Sequence, residues 1–294
     1  MKNVLVTGAN GQLGREIEKW VENSNSPFRF IFTDILPPEG ELEGANELDI
    51  TDATQVANFV QQNAIRYIIN CAAYTAVDRA ETEIEKAHLI NAVGAENLAR
   101  ASAKNGCRLI HISTDYVFDG KSTTPYTENA PTSPISEYGK SKLKGEQAVL
   151  QNDTQAIIIR TAWLYSEFGT NFVKTMLRLM NEKSELSIIT DQRGTPTYAA
   201  DLAEMIVHIL AFSEKNEWKS GVYHFSNQGE TTWFGFAEKI KELAKISTCT
   251  FNPVLGRTQN RPKYSVLDKS KIENTFQVKI PKWEDSLRRF LTHR

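Results

Sequence analysis

Two side chains near the middle of the sequence have the spacing of a proton-transfer pair. Tyr138 and Lys142 lie four residues apart in segment 138–150, whose pattern predicts a helix, so both project from one helical face. A phenol with a free pKa of about 10 is a poor acid or base at neutral pH, and a neighbouring ammonium group lowers that pKa. The pair therefore suits acid–base chemistry. A solvated face of a lysine-rich helix is the alternative, because the same spacing occurs there too.

A hydroxyl group is expected at the same place. The predicted strand 108–113 runs directly into Thr114 and Asp115. Ligands of parallel α/β sheets bind at the carboxyl ends of the strands, so Thr114 would stand at a ligand-binding edge. This neighbourhood favours a catalytic interpretation of Tyr138 and Lys142.

The start of the chain carries a second chemical signal, a glycine-rich turn. The spacing GxxGxxG lies between a predicted strand, 4–7, and a predicted helix, 15–21. Glycines permit close backbone approach, and the N–H groups that begin the helix then face a pyrophosphate. A second strand, 28–33, ends at Asp34, about 20 residues after the last glycine, where a carboxylate binds ribose hydroxyls. The predicted dinucleotide site contains Gly8, Asn10, Gly11, Gln12, Leu13, Gly14 and Asp34. A structural glycine turn beside an incidental surface aspartate is the alternative.

Cofactor preference follows from the surroundings of Asp34. Neither lysine nor arginine comes directly after it, so a 2′-phosphate would meet an uncompensated carboxylate. NADH is therefore favoured over NADPH, although either would fit the motif. Two further segments are expected to line the cofactor site, and they contain Asp49, Ile50, Cys71, Ala72, Ala73 and Tyr74. Asp49 has an alternative role as the cap of a helix over 52–62.

Positioning these residues requires a sheet with flanking helices, and the hydropathy pattern predicts one. Short β-rich runs alternate with amphipathic segments, and the predicted strands are 4–7, 28–33, 67–70, 108–113 and 156–160. The clearest helix is 84–104, where small residues recur every three or four positions. Strands separated by helices imply right-handed βαβ units. The predicted fold class is α/β, a doubly wound parallel sheet of the Rossmann type.

Past residue 160 the pattern loosens and predicts a second, smaller lobe. Helices are expected over 172–181, 199–212 and 233–244, with strands over 186–190 and 222–225. We expect residues 1–160 to form the dinucleotide-binding domain, with a contribution from about 186–212. Residues 161–294 would form mainly a C-terminal substrate-binding lobe.

Composition and charge exclude several classes of protein. The 294 residues are 40% hydrophobic and 24% charged, which is typical of a globular chain. A net charge of −2 provides no positive field for nucleic acid, and no apolar run reaches the ~20 residues of a membrane span. Three widely spaced cysteines without a CxxC motif predict free thiols in a cytoplasmic protein. The five histidines lack ligand spacing, so no metal is predicted.

Several of these motifs resemble a known superfamily. The TGxxGxxG start, the strand end 113–115 and the Tyr138 and Lys142 pair are similar to those of extended short-chain dehydrogenases/reductases, which act mostly on nucleotide-activated sugars. Segments over almost the whole chain resemble one member family, the dTDP-4-dehydrorhamnose reductases; they are 71–78, 113–120, 160–165, 191–197 and 260–268. Related dehydratases carry a glutamate after the aspartate, whereas Tyr116 follows Asp115 here. The resemblance therefore implies simple carbonyl reduction.

The resemblance also implies roles for individual residues. Thr114, Tyr138 and Lys142 would form the catalytic trio. Tyr138 would give a proton to a 4-keto oxygen as hydride arrives from NADH or NADPH, and Lys142 would hold the nicotinamide ribose. The substrate, dTDP-4-dehydro-L-rhamnose, would be contacted by Thr114, Asp115, Trp163, Thr197 and Arg261. A core aromatic is the alternative for Trp163, and a surface arginine is the alternative for Arg261.

Two other functions stay open at this point. The chain could reduce a different nucleotide-sugar ketone, or it could be a non-catalytic NADP-binding subunit resembling the β subunit of methionine adenosyltransferase. The intact Thr114, Tyr138 and Lys142 argue against the subunit. As partners we expect the nucleotide sugar and a second copy in a homodimer, with neither nucleic acid nor a membrane.

Overall fold

The computed structural model describes residues 1–35, 45–256 and 260–292, so His293, one of the histidines without a predicted ligand role, lies outside the described residues. The strands in chain order are β1 (Lys2–Thr7), β2 (Phe28–Asp34), β3 (Asn46–Glu47), β4 (Ile65–Asn70), β5 (Arg108–Thr114), β6 (Ile157–Thr161), β7 (Leu164–Tyr165), β8 (Glu185–Ile189), β9 (Arg193–Gly194), β10 (Thr197–Tyr198), β11 (Gly221–His224), β12 (Thr231–Thr232) and β13 (Thr250–Val254). The helices are α1 (Gln12–Glu22), α2 (Ala53–Gln62), α3 (Val77–Ala80), α4 (Ile84–His88), α5 (Ala95–Asn105), α6 (Glu137–Asn152), α7 (Phe172–Glu182), α8 (Ala199–Ser213), α9 (Trp233–Leu243), α10 (Ser270–Phe276) and α11 (Trp283–Thr292).

A seven-stranded parallel sheet forms the centre of the larger lobe. Its strand order is β11-β6-β5-β4-β1-β2-β3. The chain proceeds outward from β1 to β3, crosses back to β4 on the other side of β1, and then proceeds outward in the opposite direction. Such a reversal opens a crevice beyond the carboxyl ends of the two strands that flank it, here β1 and β4. The predicted doubly wound sheet is confirmed.

Alternation along β1 divides the core of this lobe into two layers. Val4 and Val6 pack in one cluster with Ile206 of α8, whereas Leu5 packs in the opposite cluster with Leu98 of α5. Both clusters are buried, as is usual for parallel sheets with helices on both faces. The layers hold the strand ends, and therefore the site at their edge, in a rigid frame.

The C-terminal half of the chain contributes to both lobes. Strand β11 pairs with β6 at the edge of the large sheet, and α8 packs against α1. Strand β8 pairs instead with β13, and its Leu186 and Ile188 join α7, α9 and α11 in a separate core. Segment 186–212 is thus divided between the two lobes. The assignment of dinucleotide binding to 1–160 and of substrate binding to 161–294 stays a prediction.

The predicted helix 84–104 forms as one run from α4 to α5, with a π-helical turn over Leu89–Gly94 at its centre. Helix α6 packs closely against this turn. A Cβ atom on Gly145 would lie 2.1 Å from the carbonyl oxygen of Asn91. Single π turns within helices are frequent at functional sites, and this one places Asn91 beside the cleft loops. Within the residues described, no helix is long and apolar enough to cross a membrane.

Candidate active site

A cleft of about 720 Å³ lies at the carboxyl edge of the sheet, between the two lobes. Its lining begins at the turn after β1, passes the ends of β2, β4 and β5, and continues beyond β6 to Trp163 and Trp233. The cleft therefore joins the predicted dinucleotide site to the predicted catalytic residues. Its volume is in the range of ligand pockets, about 300–1,000 Å³.

The glycine-rich turn packs closely against the loop after β4 and against the start of α1. Gly8 has a φ of +68°, and a Cβ atom there would lie 2.5 Å from the Ala72 nitrogen. Gly14 lies equally close to the turn, because its Cβ would be 2.5 Å from the Gly8 oxygen. Helix α1 begins after Gly11 without a side-chain cap and without an acidic residue in its first turn. Its N–H groups are thus available to an anion at this end of the cleft.

Two aspartates predicted for the cofactor site both line the cleft. Asp34 ends β2, and its Oδ2 accepts a 2.8 Å hydrogen bond from the Asn10 N–H, so it also holds the glycine-rich turn. Asp49 accepts hydrogen bonds from the backbone and hydroxyl of Thr51 at 2.8 Å. Asp52, rather than Asp49, caps α2. The alternative role of Asp49 as the helix cap is therefore wrong.

The loop after β4 is held from beneath by amide side chains. Asn70 Oδ1 accepts hydrogen bonds from the Thr7 hydroxyl at 2.8 Å and from the Ala72 N–H at 3.1 Å. Asn91 bonds both the N–H and the carbonyl of Tyr74, at 2.8 and 3.0 Å. Cys71, Ala72 and Ala73 line the cleft with Ile50, whereas Tyr74 packs in a cluster with Tyr138. Tyr74 therefore does not line the cleft, where a cofactor contact is predicted for it. It packs against Tyr138 instead, because Asn91 fixes its backbone there.

Thr114, Tyr138 and Lys142 meet in the cleft, as the sequence pattern predicts. Thr114 ends β5, and its hydroxyl donates to Asp115 Oδ1 at 3.0 Å. Ser136 caps α6 by accepting from the Gly139 N–H, so the first turn of that helix carries Tyr138 and the second carries Lys142. Gly139 lies so close to the Tyr116 carbonyl, 2.3 Å from a Cβ placed on it, that any side chain would push α6 away.

The phenol of Tyr138 is kept in its protonated form. Burial raises the pKa of Tyr138 well above its usual value, and the nearby Asp115 and Tyr116 raise it further. The hydrogen bond with Thr114 opposes this shift but is the smaller effect. The sequence pattern predicts the opposite net direction, through the neighbouring ammonium group. That direction is wrong, because desolvation of the phenolate is the largest effect on this pKa and Lys142 is not among the groups that shift it.

Lys142 is almost completely buried, at 2% exposure. Its Nζ donates to the Ile112 carbonyl at 2.7 Å, which fixes the ammonium group beneath the end of β5. Burial lowers the pKa of Lys142 to about 8, while Glu146 and Cys71 act in the opposite direction. Lys142 therefore remains an ammonium group at neutral pH, although its pKa lies only slightly above that pH.

Asp115 is a buried acid beside the Thr114 hydroxyl. Burial raises the pKa of Asp115 to about 6, against hydrogen bonds from Ser265 and Thr114 that lower it. Its Oδ2 atom is buried without a hydrogen-bond partner among the described residues. Tyr116 packs edge-on against Tyr138 with ring centroids 5.5 Å apart. The arrangement makes this part of the cleft suited to polar groups of a ligand.

Trp163 lies on the wall of the cleft beyond β6, where the sequence analysis predicted a substrate contact. Thr197, predicted for the same role, is fully buried in β10. Its N–H donates to the Trp163 carbonyl at 3.1 Å. The structure therefore places Thr197 beneath Trp163 rather than at the cleft surface, because β10 pairs with β7 on the inner side of the lobe.

Sequence reasoning missed Trp233, which lines the cleft beside Trp163. The two indoles are stacked with ring centroids 3.7 Å apart and planes 8° from parallel. The sequence marked Trp233 only as the first residue of a helix. Seventy positions separate the two tryptophans, so no local pattern relates them.

Arg261 lies at the rim of the cleft and pairs with an acid from the other lobe. Its guanidinium donates to both oxygens of Asp78 at 2.9 and 3.0 Å. Asp78 belongs to α3, which follows the loop after β4. The Asp78 side chain is 76% exposed and that of Arg261 is 29% exposed, so water competes with this ion pair. An anionic ligand in the cleft would compete for the same guanidinium.

Metal-ligating side chains are dispersed in the described part of the chain. Across ranges 1–35, 45–256 and 260–292, no group of three or more His, Cys, Asp or Glu side chains is arranged to hold a metal ion.

Comparison with known proteins identifies relatives of this chain. The family model described as "RmlD substrate binding domain" matches residues 1–294. A dTDP-4-dehydrorhamnose reductase of Aggregatibacter actinomycetemcomitans is 36% identical over 301 residues, covering 98% of each chain. A dTDP-4-keto-6-deoxy-D-glucose reductase of Streptomyces niveus is 37% identical and covers 96% of this chain and 94% of that protein. The crystal structure of dTDP-4-dehydrorhamnose reductase from Bacillus anthracis, in complex with NADP, has a TM-score of 0.88 and 40% identity, covering 100% of this chain and 99% of that one.

Proposed function

The chain belongs to the family of dTDP-4-dehydrorhamnose reductases, and from this premise we propose that it reduces the 4-keto group of dTDP-4-dehydro-L-rhamnose to give dTDP-L-rhamnose. One observation carries the proposal. Thr114, Tyr138 and Lys142 lie together in a cleft that begins at an uncapped helix N-terminus and ends at an aromatic wall. A dinucleotide and a nucleotide sugar can therefore meet at one acid–base group.

Thr114, Tyr138 and Lys142 have different roles in the proposed carbonyl reduction. NADH or NADPH, when bound, supplies the hydride. Tyr138, kept as a neutral phenol by burial, donates its proton to the substrate oxygen. Thr114, whose hydroxyl proton would turn from Asp115 Oδ1 to the substrate, supplies a second hydrogen bond to that oxygen, on which negative charge develops. Lys142 offers a buried ammonium group to the cofactor ribose and stabilises the phenolate that forms after proton transfer.

For the cofactor we propose a preference for NADH over NADPH. Asp34 ends β2 at the cleft with its carboxylate fixed by the Asn10 N–H, so a 2′-phosphate would approach a negative charge. Segment 35–47 of the sequence contains neither lysine nor arginine. The NADP complex of the Bacillus anthracis relative supports binding of a nicotinamide dinucleotide, NADP included. The ratio of kcat/KM for the two reduced cofactors measures the preference.

We propose that the substrate is held by residues from both lobes. Trp163 would contact the apolar face of the sugar, and Arg261 would leave Asp78 to bind the diphosphate through its planar guanidinium. Asp115 would accept a hydrogen bond from a sugar hydroxyl. Thr197 would act through Trp163, whose carbonyl it holds.

A second candidate substrate is another dTDP-linked 4-keto sugar. The similarity to the Streptomyces niveus reductase, at 37% identity, favours it. The cleft lining leaves the configuration at the sugar carbons open, since both substrates present a 4-keto group and a dTDP moiety.

Turnover by the purified protein tests the proposal. With dTDP-4-dehydro-L-rhamnose and NADH or NADPH, we expect oxidation of the cofactor and formation of dTDP-L-rhamnose, identified by NMR. Tyr138→Phe should reduce kcat by about 10²–10⁴ while the dinucleotide still binds. Tyr223→Phe is the matched control, because its hydroxyl bonds the Lys219 carbonyl away from the cleft. Turnover only with a different dTDP-4-keto sugar would select the second candidate, and no turnover of either would overturn the proposal.

We further propose a homodimer in the cytoplasm. The helical run from α4 to α5 exposes Ile84, Leu89 and Val93, each at least 40% exposed, and α6 exposes Leu150 beside it. A second copy would cover these side chains. The three cysteines are free, as is usual in a reducing compartment. Sedimentation should give a dimer, and Leu89→Glu should give a monomer; a monomeric wild type would contradict the proposal.

A further inference from the structure

Trp163 has an unfavourable backbone conformation. Its φ is +46°, in the left-handed region that bulky side chains rarely adopt. Such conformations persist where the surrounding structure over-determines them, and they concentrate at ligand sites. The contacts around Trp163 must therefore hold it in place.

The main contact of the Trp163 indole is Trp233. The centroid separation of 3.7 Å and the nearly parallel planes mean that Trp233 covers one whole face of the ring. Gly194 borders the same indole, since a Cβ atom there would lie 2.6 Å from Cε2 of Trp163. A ligand can therefore contact only the part of the Trp163 ring that lines the cleft.

Trp233 is itself held by two neighbouring side chains. Its Nε1 donates to Gln192 Oε1 at 3.1 Å, and Gln192 is buried. The ring of Phe172 packs on it with a centroid distance of 4.6 Å and an angle of 51°. Trp233 is also the first residue of α9, directly after Thr232, the N-cap of that helix. These contacts fix the position of Trp233, and the strained residue Trp163 packs against it.

We propose that Trp233 is a positioning residue for the sugar: it holds the Trp163 indole at the angle at which the part of the ring that lines the cleft receives the apolar face of the 6-deoxy sugar. This inference rests on the proposed function, which supplies the substrate class. Both tryptophans line the cleft, and neither is among the residues predicted to bind the dinucleotide. Loss of Trp233 should therefore disturb sugar binding and leave dinucleotide binding unchanged.

The test compares Trp233→Leu with wild type in steady-state kinetics. We expect KM for the dTDP sugar to rise about tenfold, the effect of losing an aromatic stack, with the Kd for NADPH unchanged. Trp233→Phe keeps a ring but loses the bond to Gln192, and its KM should rise about threefold. Trp218→Leu is the matched control, because Trp218 packs on Tyr67 and bonds the Gln155 carbonyl away from the cleft.

A double-mutant cycle separates positioning from general damage. In a Trp163→Leu background, Trp233→Leu should change KM by less than about twofold, because the aromatic ring that Trp233 positions is gone. The exciton couplet of the stacked indoles in far-ultraviolet circular dichroism should disappear in Trp233→Leu and persist in Trp218→Leu.

The outcomes distinguish this inference from the proposed function. A wild-type protein that reduces no dTDP-4-keto sugar overturns the proposed function. Normal wild-type turnover with an unchanged KM in Trp233→Leu overturns only the positioning role, as does an effect that is fully retained in the Trp163→Leu background. If Trp233→Leu does not fold, an unchanged KM in Trp233→Phe overturns the role instead.

Discussion

Replacing Lys142 with methionine should stabilise the folded protein while removing activity. The folded protein lowers the pKa of Lys142 from 10.5 to about 8, chiefly through burial. Each pKa unit corresponds to about 1.4 kcal/mol, so the buried ammonium group costs about 3 kcal/mol at neutral pH. Methionine has a similar length and no charge. It forfeits the 2.7 Å hydrogen bond to the Ile112 carbonyl, which offsets about 1.5 kcal/mol of the gain.

The expected net change in the free energy of unfolding is therefore about +1 to +2 kcal/mol at neutral pH. The gain has a definite pH dependence. Because the folded state binds fewer protons than the unfolded state between the two pKa values, the wild type becomes relatively more stable from about pH 8 to about pH 10.5. The advantage of the variant should decline over that window and be constant below it.

Urea denaturation of both proteins without ligands, at neutral pH and at about pH 10, measures the difference directly. Lys144→Met is the matched control, since Lys144 is exposed on the same helix and should change stability by less than about 0.5 kcal/mol. Turnover by Lys142→Met should fall at least about a hundredfold. A variant that is less stable than wild type at neutral pH, or a difference independent of pH, would refute the burial argument.

Three further predictions concern the two ends of the cleft. Gly8→Ala should abolish dinucleotide binding in calorimetry, because the new Cβ would lie 2.5 Å from the Ala72 nitrogen at a φ of +68°; binding within about threefold of wild type would contradict the predicted role of the glycine-rich turn. Asp34→Ala should raise the kcat/KM ratio of NADPH to NADH by about tenfold, and an unchanged ratio would remove Asp34 from the ribose site. Arg261→Ala should raise KM for the dTDP sugar by about a hundredfold. Asp78→Asn should instead lower this KM by up to about threefold, because it releases the guanidinium of Arg261. Equal effects of both substitutions would show that only the ion pair matters.

Local signals in the chain were sufficient for the frame of the molecule and for its acid–base centre. The glycine-rich turn is formed by residues close together in the chain, so its motif is visible in the sequence. The spacing of Tyr138 and Lys142 alone places both on one helical face. Strand and helix periodicity likewise predicted the doubly wound sheet, which brings the ends of β1, β4 and β5 to one edge. These features depend on residues close in sequence or on the general rules of parallel sheets, so the sequence by itself determines them.

Contacts between distant segments required the tertiary structure. Trp233 stacks on Trp163, and Arg261 reaches Asp78, across separations for which periodicity carries no information. Thr197 lies inside the lobe because β10 pairs with β7, which is too short to be recognised from its residues. The direction of the Tyr138 pKa shift is also a property of burial, because the desolvation of a phenol depends on everything packed around it rather than on the lysine four positions away.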